Sequence, residues 1–452
     1  MNLFCKVYIL ILLTGSLNAV GQSKALKLDE LMQAYLNVNE FNGSVLVSRQ
    51  GEILLKKGYG FRDRKLNATN EPQTIFQIAS ITKTLTATLV LKLVELKKLT
   101  LQDKLSQFCP NYPHGDSISI QDLLAHTAGI YNYTQDREFM LQQATQPATE
   151  AKMLALFRDK PLDFPPGSNW NYSNSGYSLL GYIIQKVTQM SYQQALNQYV
   201  LSPLQMTHSG FDFSQVNPDK RATGYYAQTG KEYTQEAPIV DSSVSFSAGS
   251  LYSTVEDLYR FHQGIQRHQI IGVNLQTEAY RPIRHQYGLG WMIDTVYSQR
   301  VVSHSGGIFG FRSNIARLPA DDVCIILLAN IETPALAELT KGLLAVIYEQ
   351  PYELPVQKRS ITLPESILMS YRGTYEISEP HLVIQVKVED GQLIVYPAKG
   401  PRSVLVAEDE THFFDQLQES IRIWFEKDSS GSVDRMLITM NGNTRIGKRK
   451  ND

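Results

Sequence analysis

Cysteine and surplus charge are both scarce in this sequence. It has three cysteines in 452 residues, too few for a disulfide framework, and Cys109 and Cys324 lack the paired spacing of a metal site. The sequence leaves open whether these two bond to each other. Its 43 Lys and Arg residues nearly balance its 44 Asp and Glu residues, so no long-range field attracts nucleic acid or an anionic membrane. We expect neither as a partner.

A long apolar run is also absent. Near the amino terminus a lone Lys6 precedes a short apolar run, residues 7–13, which small and polar residues follow as far as Gly21. The run is much shorter than the roughly 20 residues that span a bilayer, and this order of parts is typical of a secretory signal. We predict that residues 1–21 are removed and that the mature protein is periplasmic or secreted, without a membrane span.

The motifs of several enzyme classes are missing. The sequence contains no Gly-x-Ser-x-Gly elbow, no His-Glu-x-x-His zinc helix and no Gly-rich phosphate loop. Most of its histidines lack ligand spacing, so we expect no metal and no cofactor. His126, in His126-Thr-Ala-Gly129, is expected to shape a turn near a site rather than to react.

Strands and a long helix are predicted near the start of the mature chain. Two apolar-rich runs, residues 43–51 and 52–60, indicate a β-hairpin. From residue 81 to 99 neither Pro nor Gly interrupts the chain, and leucines recur at helical spacing. Alternating threonines within this run would suit a strand, but its uninterrupted length favours a buried helix.

Strands return after a helical and loop-rich stretch at residues 100–285. Within that stretch residues 178–187 and 191–201 are helix candidates. Because strands occur on both sides of it, we predict an α/β fold with one antiparallel sheet assembled across a helical insertion. The later strand candidates are residues 287–294, 300–304, 312–318 and 323–329, and a helix is predicted at residues 334–348.

The last part of the chain has a different pattern. Beyond three prolines the runs become short and alternating, and Asp390-Gly391 and Asn441-Gly442 suit tight hairpin turns. This pattern predicts a small all-β domain, either a barrel or a sandwich. The predicted organisation is a signal over residues 1–21, a main domain over 22–350, a linker over 351–365 and the β domain over 366–452.

Ser80-Ile81-Thr82-Lys83 places a hydroxyl and an amine on one face at the start of the predicted helix. Ser80 could be a plain helix cap, but Lys83 in the first turn opposes the helix dipole and so disfavours that reading. A desolvated lysine loses its proton more readily and can accept one from Ser80. The Ser80 backbone N–H would also face a developing oxyanion.

Two further segments supply polar groups. Tyr172-Ser173-Asn174 follows a proline turn; its phenol can shuttle a proton, and Asn174 can hold the lysine or a substrate amide. The plain alternative is an ordinary polar turn. His304-Ser305-Gly306-Gly307 ends a predicted strand, and its glycines allow close approach of a ligand to backbone N–H groups. A bulge is the plain alternative there.

Taken in order, Ser80-x-x-Lys83, Tyr172-x-Asn174 and His304-x-Gly306 resemble the three active-site elements of the serine β-lactamase and penicillin-binding protein superfamily. The class C branch is the most similar. Flanking stretches agree with this, and the resemblance covers roughly residues 25–350. They are Phe76-Gln-Ile-Ala-Ser80, Tyr172-Ser-Asn-Ser-Gly-Tyr177, Ala248-Gly-Ser-Leu-Tyr-Ser-Thr254 and Tyr287-Gly-Leu-Gly-Trp291.

The resemblance implies a β-lactamase/transpeptidase-like fold, with an antiparallel sheet sandwiched by helices. It implies that Ser80 is the nucleophile and that Lys83 and Tyr172 transfer its proton. Asn174, His304, Gly306 and Gly307 would contact the substrate, and the amides of Ser80 and Gly307 would form the oxyanion hole. The tail from about residue 371 resembles the lipocalin-like β domain of some class C relatives.

The same resemblance implies hydrolysis of an amide or ester in a small molecule or short peptide. His304 departs from the family pattern, since classical members carry Lys there, so the sequence lacks a permanent cation for a substrate carboxylate. D-amino-acid peptides, β-lactams and carboxylic esters, including esters unrelated to cell-wall peptides, all remain candidates. The alternatives are a penicillin-binding or sensing module that acylates without turnover, and an inactive scaffold.

Overall fold

The structure is a computed structural model that describes residues 24–226, 235–356, 360–378, 382–398, 402–416, 421–440 and 443–450. These residues form two compact units, one of residues 24–226 and 235–354 and one of the described residues from 355 onward. The predicted signal over residues 1–21 lies outside them. Within the described ranges, no helix combines the length and the apolar character needed to cross a bilayer.

The first unit is built on a six-stranded antiparallel sheet. The strands of this unit are β1 Gly43–Arg49, β2 Glu52–Tyr59, β3 Phe61–Asp63, β4 Ala68–Thr69, β5 Phe76–Gln77, β6 Tyr252–Ser253, β7 Met292–Val296, β8 Gln299–Ile308, β9 Phe311–Leu318 and β10 Val323–Ala329, of which β3–β4 and β5–β6 form two separate small sheets. The sheet order is β2-β1-β10-β9-β8-β7, which confirms a sheet that joins the two ends of the unit. β10 is wholly buried, and burial of each of its large apolar side chains contributes about 1.5–3 kcal/mol.

Helices cover both faces of this sheet. Arg317 of β9 contacts the helix over Val255–Gln266, whereas Asn314 of the same strand contacts the helix over Leu336–Ile347. An odd spacing along a strand puts two side chains on opposite faces. The helices are α1 (residues 24–37), α2 Thr82–Glu95, α3 Leu105–Phe108, α4 Ile120–Leu124, α5 Arg137–Gln142, α6 Glu150–Ala155, α7 Asn174–Thr188, α8 Tyr192–Leu196, α9 Ser242–Gly249, α10 Val255–Gln266, α11 Val273–Ala279 and α12 Leu336–Ile347.

The segment with alternating threonines is a helix, not a strand. It begins with a 3-10 turn, Ala79–Ile81, and continues as α2, whose residues are almost all buried. The threonine hydroxyls donate to carbonyls one turn earlier: Thr84 to Ile81, at 2.8 Å, and Thr88 to Thr84, at 2.8 Å. Because these hydroxyls are hydrogen-bonded inside the helix, the cost of removing them from water is largely offset and the threonines can be buried.

Two predictions of local structure are wrong in part. The run at residues 287–294 is a strand only from Met292, because Gly290 takes φ 81° and turns the chain before it. Residues 191–201 do not form one helix, since α8 ends at Leu196 and a π-helical turn, Asn197–Leu201, follows. In both segments the apolar pattern reports burial of the side chains. The backbone can bury them without forming the continuous strand or helix that the pattern predicted.

The second unit contains a closed eight-stranded barrel, so the sequence correctly predicted a small all-β region. Asp390 and Gly391, with φ 50° and 73°, form the predicted turn; Asn441 and Gly442 lie outside the described residues. Tyr371, Tyr375 and Phe425 lie in its apolar core. The elements are α13 Glu365–Tyr371, β11 Gly373–Ile377, β12 Leu382–Glu389, β13 Gln392–Pro397, β14 Ser403–Ala407, β15 His412–Asp415, β16 Arg422–Lys427, β17 Val433–Met440 and β18 Asn443–Arg449.

Candidate active site

Ser80 lies in the 3-10 turn at the start of α2, where the backbone is strained. The preceding residue, Ala79, has φ 46°, a conformation that residues with a side chain rarely adopt. Strand β8 passes so close that a Cβ on Gly306 would lie 3.0 Å from the Ser80 nitrogen and would also overlap the Ile78 carbonyl. Glycine at this position therefore allows β8 to approach the serine.

Lys83 is completely buried one turn along from Ser80. Its Nζ lies 3.1 Å from Ser80 Oγ, and it donates to Asn174 Oδ1 and to the Ala248 carbonyl, both at 2.7 Å. Burial lowers the pKa of Lys83 well below its usual value, since none of these three neighbours is an anion. A neutral Lys83 amine can donate its two hydrogens to Asn174 Oδ1 and to the Ala248 carbonyl. Its lone pair then remains to accept the Ser80 proton.

Asn174, the first residue of α7, has a fixed amide orientation. Its Nδ2 donates to Asn132 Oδ1 and to Thr134 Oγ1, both at 3.2 Å. The Oδ1 atom must therefore face Lys83, where it accepts the bond already described. Asn132 and Thr134 were not predicted from the sequence because they match no motif. Only their position in a polar segment shortly after His126 could have indicated them.

Tyr172 lies beside both of these groups. Burial raises the pKa of its phenol above the usual value, and the neighbouring Ser80 hydroxyl offsets only part of this rise. The ring centroid is 4.8 Å from Lys83 Nζ. In the resting site Tyr172 is therefore a neutral proton donor close to the serine oxygen, and the lysine is the group able to take up a proton.

His126 holds the chain on both sides of Tyr172. The Asn171 amide donates to the His126 carbonyl at 3.1 Å, and the Ser173 amide donates to His126 Nδ1 at 3.2 Å. The ring centroids of His126 and Tyr172 are 4.3 Å apart. Burial, with the nearby Lys83 and His304, lowers the pKa of His126 well below its usual value. This neutral histidine fixes the position of Tyr172, as its expected place at a turn suggested.

His304 is buried on β8 and is also neutral. Its Nδ1 donates to the Ser305 carbonyl at 2.6 Å, and its Nε2 accepts from the Tyr287 hydroxyl at 3.0 Å. Burial, and then the proximity of Lys83, lower the pKa of His304 to about 3. The position that holds a lysine cation in classical members of the superfamily therefore carries no charge here.

The Gly307 amide is placed to serve as an oxyanion donor. Ile308 pairs with Phe311 across a two-residue turn, and such a closing pair is hydrogen-bonded, so the adjacent pair of Gly307 and Arg312 is not. The Gly307 N–H therefore points away from β9. On that side of β8 the pairing with β7 ends at Ser303, which leaves the amide available beside Ser80.

A cavity of about 500 Å³ opens next to Ser80, and Asn174 and Gly307 lie in its wall. Two charged side chains also lie in the wall, Arg312 and Glu332, and neither was predicted from the sequence. Neither residue belongs to a recognised motif, and a charged residue on a strand or in a loop is usually expected to be solvent-exposed. The described residues that line it are Ala79, Ser80, Tyr133, Thr134, Met140, Asn174, Val240, Val244, Ser245, Ala248, Gly249, Gly307, Ile308, Phe309, Arg312 and Glu332.

The remaining titratable groups show no ligand cluster. Across the described ranges, His, Cys, Asp and Glu side chains nowhere gather in threes as metal ligands. Cys109 and Cys324 are free thiols. The structure thus brings all seven predicted site residues to one region, and the chemistry it offers is proton transfer around a serine hydroxyl.

Comparisons with known proteins agree with this geometry. A family model described as Beta-lactamase matches residues 28–348. The PbpX protein of Bacillus subtilis (strain 168) is 30% identical over 315 residues, which cover 70% of this chain and 77% of the relative. Penicillin-binding protein 4* of the same organism is 27% identical over 417 residues, which cover 87% of this chain and 92% of that protein.

Solved structures share the fold at lower identity. The octameric penicillin-binding protein homologue from Pyrococcus abyssi has a TM-score of 0.65 and 22% identity, with 93% of this chain and 99% of that chain covered. A D-stereospecific amidohydrolase from Streptomyces sp. has a TM-score of 0.60 and 23% identity, with 71% and 99% covered.

Proposed function

Because this chain belongs to the beta-lactamase family, we propose that it is a serine hydrolase that cleaves an amide or ester through an acyl-Ser80 intermediate. One observation carries the proposal: the fully buried Lys83 amine lies 3.1 Å from Ser80 Oγ and has no anion among its three partners. A lysine in these surroundings gives up its proton easily and becomes a base for the serine.

Acylation follows from the contacts around Ser80. The hydroxyl proton passes to the Lys83 lone pair as Oγ attacks the substrate carbonyl carbon. The amides of Ser80 and Gly307 donate to the oxyanion that forms. Tyr172 then gives its phenolic proton to the leaving nitrogen or oxygen as the scissile bond breaks, and Lys83 returns a proton to Tyr172. The result is an acyl ester on Ser80, a protonated leaving group and a neutral amine.

Deacylation uses the same groups in reverse. A water molecule attacks the acyl carbon and gives one proton to the Tyr172 and Lys83 pair, while the two amides again hold the oxyanion. Ser80 Oγ leaves and recovers that proton. Asn174 and Ala248 hold the lysine in place throughout, and His126 holds the tyrosine.

We propose a small molecule or short peptide as substrate, with a D-amino-acid amide or peptide, a β-lactam or a carboxylic ester as the candidate classes. The solved D-stereospecific amidohydrolase and the named penicillin-binding relatives support the amide classes. The neutral His304 favours peptidase or esterase chemistry over the classical carboxylate-binding arrangement. We further propose that the protein is exported after removal of residues 1–21, and the class C and lipocalin-like resemblances stay predictions.

The test uses the mature protein, its Ser80→Ala variant and, as control, Ser202→Ala, which replaces an exposed serine. Each is incubated with benzylpenicillin and, separately, with a 4-nitrophenyl ester, while protein mass and released product are followed together. We expect an adduct or turnover that Ser80→Ala abolishes and Ser202→Ala keeps. Turnover that survives in Ser80→Ala would reject the mechanism, and labelling without turnover would favour the penicillin-sensing alternative.

A further inference from the structure

Two charged side chains line the cavity beside Ser80 in the described part of the chain, Arg312 and Glu332. The rest of its wall is polar near Ser80 and apolar elsewhere, which suits a substrate with an apolar body and one charged end. The apolar part is formed by Met140, Val240, Val244, Ile308 and Phe309.

The cavity lies on the acyl side of the scissile bond. The leaving group must face Tyr172 to receive its proton, and neither Tyr172 nor Lys83 is among the described residues that form the cavity wall. The oxyanion donors Ser80 and Gly307, in contrast, do lie in that wall. With the carbonyl oxygen between these two amides and the leaving group toward Tyr172, the acyl chain extends into the cavity.

Arg312 lies directly across the strand pair from Gly307. A Cβ on Gly307 would be 3.5 Å from Arg312 Nη1, so the guanidinium lies at van der Waals distance from the open side of Gly307. Nη1 donates to the carbonyls of Ile308, at 3.1 Å, and Phe311, at 2.9 Å. Nε and Nη2 make no hydrogen bond to any described residue, and one third of the side chain is exposed.

Glu332 forms only a long ion pair with Arg312. Its Oε1 accepts from the Gly310 amide at 3.1 Å and is 3.7 Å from Arg312 Nη1, beyond hydrogen-bond distance. A partly exposed ion pair of this kind is weak. A carboxylate that meets the guanidinium with two parallel hydrogen bonds would bind it better than Glu332 does.

We propose that Arg312 binds a carboxylate carried by the acyl group of the substrate, through the Nε and Nη2 donors. The cation that is missing at His304 is thus supplied from β9, on the other side of the scissile bond. Glu332 holds the Arg312 region in place and restricts binding to groups that can outcompete it. This inference rests on the proposed function for the orientation of the substrate.

The test compares three activated esters that differ only at the far end of the acyl chain. They are the 4-nitrophenyl esters of adipic acid, of adipamic acid and of 6-aminohexanoic acid, which end in a carboxylate, a carboxamide and an ammonium group. The readout is the ratio of kcat/KM for the carboxylate ester to that for the carboxamide ester, measured with the full chain.

We expect Arg312→Gln to lower this ratio on the order of 10-fold to 100-fold, as loss of a charge-assisted hydrogen bond does. Arg312→Lys keeps the charge but loses the fork, so an intermediate ratio is expected. Glu332→Gln keeps the acceptor for Gly310 and should raise the ratio up to about 5-fold. The control Arg260→Gln changes an exposed arginine outside this cavity. A ratio that Arg312→Gln shifts no more than this control overturns the proposal.

A binding measurement separates this proposal from the catalytic one. In the Ser80→Ala background, calorimetry gives the affinities of the stable anilides of adipic and adipamic acid, with and without Arg312→Gln. We expect the carboxylate anilide to bind more tightly and Arg312→Gln to remove the difference. Equal affinities for the two anilides, or a higher kcat/KM for the ammonium ester than for the carboxylate ester, overturn the subsite even if Ser80 is the nucleophile. A clear preference supports it even if turnover is absent.

Discussion

Lys83 and Arg317 are both completely buried in the first unit, but their surroundings differ. Lys83 meets a hydroxyl, an amide oxygen and a carbonyl. Arg317 donates from Nε to His262 Nδ1 at 2.9 Å, from Nη2 to Gln266 Oε1 at 3.2 Å, and from Nη1 to the Tyr280 hydroxyl. Behind it, His262 Nε2 is 3.0 Å from Asp322.

The difference teaches how burial acts on two kinds of cation. An ammonium group without an anionic partner is relieved of its desolvation cost by losing its proton, which gives the site a base. A guanidinium keeps its charge in proteins, so it must be surrounded by acceptors and linked to a carboxylate. We conclude that the Lys83 region is built for proton transfer and the Arg317 region for stability of the fold.

Lys83→Arg should cause the largest effect. Arginine can make several of the hydrogen bonds of Lys83, but its guanidinium is permanently charged and cannot accept the Ser80 proton. We expect kcat for a Ser80-dependent ester to fall by about 10²–10⁴-fold, the usual contribution of a general base. The measurement is steady-state hydrolysis, with circular dichroism to verify folding. Activity within a few-fold of the wild type would show that Lys83 acts only as a charge.

Arg317→Met is the matched change in the other region. It leaves His262, Gln266 and Tyr280 without their partner, so the free energy of unfolding should fall by about 1–3 kcal/mol for each buried polar group left unsatisfied. Activity per folded molecule should change far less than in Lys83→Arg. Urea unfolding of the variant is compared with that of Arg260→Met, an exposed control. Equal stability of the two variants would argue against a structural role for the Arg317 network.

His126→Ala should have a smaller effect on catalysis. The change removes the Nδ1 acceptor for Ser173 and the ring that packs on Tyr172, so the phenol loses its fixed position. We expect kcat to fall on the order of 100-fold, as for a misplacement of about 1 Å, with KM changed little. His126→Asn, whose side-chain oxygen can accept the Ser173 amide, should recover part of kcat. A loss confined to KM would contradict positioning.

Acid should weaken the fold through its buried histidines. Folding lowers the pKa of His262 well below 6.5, so on acidification the unfolded chain binds its proton first. The stabilisation is complete above about pH 6.5 and declines, by up to about 1.4 kcal/mol per pH unit for each histidine, as pH falls toward the folded pKa. For His304 that decline would extend to about pH 3.

This pH dependence is measured by urea unfolding between pH 7.5 and 4.5. His262→Gln should reduce the slope of the free energy of unfolding against pH by the contribution of one proton, because glutamine cannot titrate. An unchanged slope would mean that His262 contributes no proton uptake on unfolding.

The sequence predicted the parts of the site that depend on short spacing. Ser80 and Lys83 lie one helical turn apart, and Tyr172 lies two residues before Asn174 at the start of α7, so local geometry alone brings each pair together. The sheet was predictable because strand patterns lie on both sides of the helical insertion. Arg312 was not, because its place beside Gly307 depends on strand register. Arg317 was not either, since a charged residue on a strand usually indicates exposure.

The state of the Lys83 amine tests the account most directly. Protein labelled with carbon-13 at lysine Cε is titrated by NMR, and the Lys83 signal is assigned by its loss in Lys83→Arg. We predict a midpoint well below the usual lysine value, in agreement with the acid limb of kcat/KM for the ester. A midpoint at or above the usual value would mean that the buried amine stays charged, and would contradict its role as the base for Ser80.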